Sequence, residues 1–187
     1  MNHLKINILL LLSITLLTFT ACEDDDPVIP NEEEVITTVS YTLTPTTGGD
    51  PVVLSFQDLD GDGGDAPTTT VEALSANTTY NATLNLLNEA DTPVENITEE
   101  VAGEAEDHQF FFTTSIADLT VEYDDTDADG NPIGLATKLT TGAAGTGTLT
   151  IVLKHKPEKT ASGVKDGDIT NAGGDTDVEV NFDITVQ

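Results

Sequence analysis

The chain has 187 residues, of which 34 are Asp or Glu and only six are Lys, with no arginine, so its formal charge at pH 7 is −28. A surface this anionic repels nucleic acid and anionic lipid headgroups, which excludes both as docking partners. The single cysteine excludes an intrachain disulfide, and the shortage of Cys, His and Arg leaves few parts for nucleophile triads or phosphate clamps.

In chain order, the first element is a targeting segment. Lys5 precedes an almost unbroken apolar run from Ile6 to Phe19, too short to span a bilayer, which takes about 20 apolar residues. The run ends in "FTAC", with small residues before Cys22. This resembles the bacterial lipobox, with Phe19 where the pattern usually has Leu. The reading is a lipoprotein signal peptide over residues 1–21 and a lipidated Cys22, against the plainer alternative of an ordinary signal peptide with a stray buried cysteine. Residues 22–34 open with Glu23, Asp24, Asp25 and Asp26 and continue as "PVIPNEEE", an acidic flexible tether that cannot pack a core. The acidic run after the cysteine also resembles the signal that sends Bacteroidota lipoproteins to the outer membrane. The expected address is therefore the outer membrane, lipid-anchored, on its periplasmic or its surface-exposed side.

Residues 35–187 are expected to form a single all-β domain. Period-two alternation marks strands with one buried face: near 35–44, 52–57, 69–74, 79–87, 109–114, 119–123, 135–141 and 149–153, and most clearly over 178–186. There Val178, Val180, Phe182, Ile184 and Val186 alternate with Glu179, Asn181, Asp183 and Thr185. About nine short strands separated by Gly, Pro, Asn and Asp turns indicate an antiparallel β-sandwich, Ig-like or jelly-roll-like. Only "ITEEVAGEAEDH", 97–108, has helical composition, as a short acidic helix or a loop. "VLSFQD" aligns with "TVEYDD" and "LSANTTYNATLNLL" with "LTTGAAGTGTLTIV", at similar offsets. Either the domain is a pseudo-repeat of two halves packed face to face, or threonine-rich hairpins have converged on one pattern.

Two acidic turns are the candidate metal loops. Asp58, Asp60 and Asp62 precede Gly63, with Asp65 following; Asp125, Asp127 and Asp129 precede Gly130. Alternating Asp residues can offer a calcium ion several oxygens from one side of a tight turn. Position 12 of a complete EF-hand loop would be a bidentate Glu, and it is Thr69 or Ala136 here. What remains is a weak extracellular calcium site, in the range of about 10⁻⁴ to 10⁻³ M, or a pair of ordinary turns in an acidic chain, because Asp-Gly and Asn-Pro form turns unaided.

Other chemistry is thin. His155, between Lys154 and Lys156, reads as a strand end with its tip in solvent. His108 precedes Phe110, Phe111 and Phe112, which cannot all face one core; burial under the second sheet or a loop, or a binding platform, are the two readings. The long segment "KPEKTASGVKDGDITNAGGDTD", 156–177, carries lysines suited to neutralising the acidic turns. No carboxylate spacing favours a glycosidase, and the absence of Trp removes the usual sugar platform.

The stretches "NEEEVITTV", "DLDGDGGDAP", "DHQFFF", "DTDADGNPIGL", "LTTGAAGTGTLT" and "GDITNAGGDTDVEV" resemble a lipoprotein family of marine flavobacteria, in the Bacteroidota, often labelled type 1 periplasmic binding fold superfamily proteins. That label implies solute binding; the residues, with no βαβ pattern, predict a sandwich. The expectation is a non-enzymatic binding or structural module, calcium its candidate cofactor, held to the membrane by its lipid and meeting a small-molecule, glycan or protein ligand. A solute-binding lipoprotein feeding a transporter is the alternative, and a hydrolase the last.

Overall fold

The computed structural model describes residues 34–61 and 64–187. The signal segment, Cys22, most of the tether, Asp62 and Gly63 lie outside the described residues. No helix among them is long and apolar enough to cross a membrane.

Nine strands form two antiparallel sheets. In chain order they are β1 (Thr38–Pro45), β2 (Val52–Gln57), β3 (Thr68–Val71), β4 (Thr79–Leu87), β5 (His108–Thr114), β6 (Thr120–Tyr123), β7 (Ala136–Thr140), β8 (Gly145–His155) and β9 (Asp175–Val186), with α1 (Ile97–Gly103) between β4 and β5. The larger sheet runs β3-β2-β1-β4-β7-β6 and the smaller β5-β8-β9. The alternation read from the sequence is what buries: Tyr80, Ala82, Leu84 and Leu86 of β4 face Val180, Phe182, Ile184 and Val186 of β9 across one core. At about 25 cal/mol per Å² of apolar area, this layer is the main source of stability.

The acidic segment after β4 does form a helix. Ile97 and Val101, one turn apart, are buried against the sandwich, and Thr98 Oγ1 accepts a hydrogen bond from Leu86 N of β4 at 2.8 Å.

The two hairpins carrying the acidic turns, β2-β3 and β6-β7, occupy opposite edges of the same six-stranded sheet. Two halves facing each other is therefore not the arrangement. β8, the third strand of the expected second half, crosses to the other sheet, so the local similarity spans two layers.

The aromatic triplet divides as its period requires. Phe110 and Phe112 point into the main core, while Phe111 lies on the outer face, covered with Val152 by Val164 and Ala172 of the 156–177 segment. Gln109 Nε2 donates to Val164 O at 2.9 Å and holds that cover down. Just before β9 the segment holds Gly174, whose φ is +65° and whose added Cβ would lie 2.2 Å from His155 O. We expect Gly174→Ala to lower stability by about 1–3 kcal/mol, since both the left-handed backbone and the close approach exclude a side chain; denaturant unfolding measures it.

Candidate metal centre

At one end of the sandwich the apolar layer stops in a polar one. His108 opens β5 and His155 closes β8, and the two are direct cross-strand partners. His108 shares its face with Phe110 and Phe112, His155 with Leu153 and Ile151, so period two sends both imidazoles inward. Their rings lie 4.5 Å apart between centroids, tilted by 42°. The expected solvent-exposed tip of His155 is thus corrected: the residue is only 4 % exposed, because the inward parity of β8 runs to the strand's last residue.

The other two members come from different devices. Along β9 Leu153 pairs with Val178 but Lys154 with Thr176, which leaves Asp177 as the extra residue of a β-bulge. A bulge re-aims a side chain that simple alternation would send outward, and the Asp177 side chain is fully buried. Glu34 arrives from the lead-in to β1, on the opposite sheet, with its side chain 8 % exposed. The residue that the sequence assigns to the end of a tether is part of the folded unit.

Glu34, His108, His155 and Asp177 each offer a ligand atom, and these four atoms lie within 4.8 Å of one another. His108 Nε2 stands 2.9 Å from Glu34 Oε1 and 3.7 Å from Asp177 Oδ2; His155 Nδ1 stands 3.5 Å from Glu34 Oε2 and 3.6 Å from Asp177 Oδ1. Donors sharing a tetrahedral zinc ion would be about 3.4 Å apart, from ligand bonds of about 2.0–2.2 Å. These separations are close to that, yet Glu34 Oε2, His108 Nε2 and His155 Nδ1 make no hydrogen bond. Among the described residues this is the group of three or more His and carboxylates whose geometry suits a metal ion.

The tautomer of His108 fits the same purpose. Its Nδ1 lies 3.1 Å from Glu104 O, just after α1. Donating that N–H leaves the Nε2 lone pair directed at the other ligands, the orienting contact typical of metal-bound imidazole. Charge also balances: two buried carboxylates repel, and one divalent cation would neutralise them. Two nitrogens and two carboxylates suit zinc and its first-row neighbours; calcium prefers an all-oxygen set.

The residues expected to bind calcium lie elsewhere. In the second turn, Asp125 Oδ1 accepts from Gly134 N at 2.7 Å and Oδ2 from Ala136 N at 2.8 Å, closing the β6-β7 connection. Asp127 Oδ1 accepts from Asp129 N and Asn131 N, and Oδ2 from Lys159 Nζ at 2.9 Å. The buried Lys159 ammonium thus takes the position a cation would take, its other donors going to Ala105 O and Pro132 O. Asp129 points to solvent. In the first turn, Asp58 Oδ1 accepts from Gly61 N and Asp60 Oδ2 from Asp65 N, all near the surface; Asp62 lies outside the described residues.

Burial alone would raise the Asp127 carboxyl, but the Lys159 ammonium and the Asn131 donors outweigh it and hold the group below the usual carboxylate range. A lowered folded value means stability that is full above the unfolded value of about 3.9 and is lost as pH falls through the folded one. We therefore expect Asp127→Asn to flatten the loss of stability below about pH 4, as followed by urea unfolding at successive pH values.

Comparison with family models, with curated proteins and with solved structures yields no match.

Proposed function

We propose that the chain is a non-enzymatic, lipid-anchored module of the outer membrane whose sandwich is closed by a divalent transition-metal ion, zinc being the best chemical match, held by Glu34, His108, His155 and Asp177. One observation carries the metal part: four ligand atoms converge in a buried site at mutual distances suited to a shared ion, and three of them form no hydrogen bond. Four protein ligands with nearly no exposure make a closed set, the pattern of structural zinc; catalytic zinc keeps one position for water. The same closure argues against a hydrolase, because one oxygen each of Glu34 and Asp177 lie within 4.8 Å, whereas glycosidase carboxyl groups stand about 5 Å apart or more with substrate between them.

The anchor and the address rest on "FTAC", Cys22 and the acidic run behind it. Metal analysis of the purified mature chain tests the centre: about one zinc per chain is expected, lost in His155→Ala. Metal-free protein that binds zinc no better than His155→Ala would overturn the reading. Adding millimolar calcium to chelated protein in the same assay tests the separate expectation for the acidic turns, and Cys22→Ser, which should abolish palmitate labelling, tests the anchor.

A further inference from the structure

We infer that Glu34 is the detachable ligand of this centre, and that the acidic cleft beside it is the route by which the ion enters and leaves. The inference rests on the metal reading above and concerns exchange instead of binding as such.

Three of the four ligands are fixed in one hydrogen-bonded sheet: His108 pairs with His155, and Asp177 is locked in the bulge opposite Leu153 and Lys154. Their backbones cannot move away without opening the ladder. Glu34 lies before β1, whose pairing starts at Thr38, and among the described residues the backbone bonds of that segment begin with Thr37 N to Leu87 O at 3.0 Å. Its neighbour Val35 is 60 % exposed. An ion held by four buried groups exchanges only when one of them moves, and Glu34 is the one that moves at least cost.

A cleft adjoins the next residue in the chain, Val35. It has a volume of about 530 Å³ and is lined by Val35, Ile36, Asp177 and Glu179 together with Asp58 and Asp60 of the first acidic turn. It borders the ligand Asp177 and is lined by no lysine. A concave, like-signed wall concentrates counter-ions and speeds their capture, by about tenfold or more at low salt. The carboxylates of the first acidic turn thereby acquire a role: they draw hydrated divalent cations toward the cleft that Asp177 and Val35, the neighbour of Glu34, border. A lipoprotein that releases and reloads its ion is itself a solute-binding protein whose solute is the metal.

The test is stopped-flow transfer of zinc between the mature chain and a chromogenic chelator. Glu34→Gln should still take up zinc but release it about tenfold faster or more. Asp58→Asn/Asp60→Asn/Glu179→Gln should take zinc up about three- to tenfold more slowly at low salt, release it at the wild-type rate, and match wild type in about 0.5 M salt, where screening is nearly complete. In wild type, zinc should slow amide exchange at Ile36 and Thr37 several-fold, a measurement that needs no variant. A wild-type release rate in Glu34→Gln, or exchange at Thr37 indifferent to zinc, overturns the detachable ligand; an unchanged uptake rate in the triple variant overturns the route. Failure of wild type to hold zinc at all overturns the metal reading instead, so the failures are distinguishable.

Discussion

The melting-temperature deficit of His108→Ala against wild type should be about 8–16 °C larger in zinc than in chelator. An ion at a thousand times its dissociation constant stabilises the folded state by about 4 kcal/mol, and each kcal/mol moves the midpoint of a domain of this size by about 2–4 °C. Without the ion, the variant loses the packing of one buried ring and the bond to Glu104 O. Wild type then keeps two carboxylates packed against two imidazoles, their side chains at 0–8 % exposure. The chelated difference therefore isolates the cavity cost, and the remainder belongs to the metal. Equal melting temperatures for wild type with and without chelator would identify the cluster as an imidazole–carboxylate quartet instead. Scanning calorimetry at fixed free zinc makes the comparison.

The second large effect is expected at Lys159. Lys159→Met leaves the Asp127 carboxylate buried without its cation and removes the donor to Ala105 O and Pro132 O. Breaking one side of a buried pair costs about 3–5 kcal/mol. The double variant Lys159→Met/Asp127→Asn should recover part of this, since the amide needs no counter-charge, and the two changes should couple by about 1 kcal/mol or more. Strict additivity would mean the pair does not act as one. Chemical denaturation of the four proteins closes the cycle, with zinc content checked in each so that loss at the metal centre is not mistaken for loss here.

The strands were legible because threonine, valine and leucine alternate against polar residues without interruption; β2 and β4 begin and end where the period does. The candidate metal centre is not, because each member hides in a different pattern. Glu34 belongs to an acidic run that reads as solvated chain, and Asp177 to a Gly- and Asp-rich stretch whose bulge reverses the expected parity. The two histidines gave the one usable signal: each continues the inward set of its strand, after Leu153 and before Phe110, where a hydrophobic residue would be ordinary. The acidic turns drew notice for the opposite reason. Their local spacing matches the first half of a calcium loop, while the contact of Asp127 with Lys159, 32 residues away in sequence, is one no local pattern encodes.

The flanks of the sandwich bear on how such a chain behaves at high density. Leu74 exchanges backbone bonds with Thr185 O and Gln187 N along β9, and Ile133 O accepts from Phe110 N along β5, so both rims of the smaller sheet are already bonded over part of their length. The rims of the larger sheet, β3 and β6, are only four residues each, and β6 carries Glu122. Short, covered or charged rims give a neighbouring copy little backbone to pair with. Molecules crowded side by side would therefore stay separate instead of growing into β-linked aggregates.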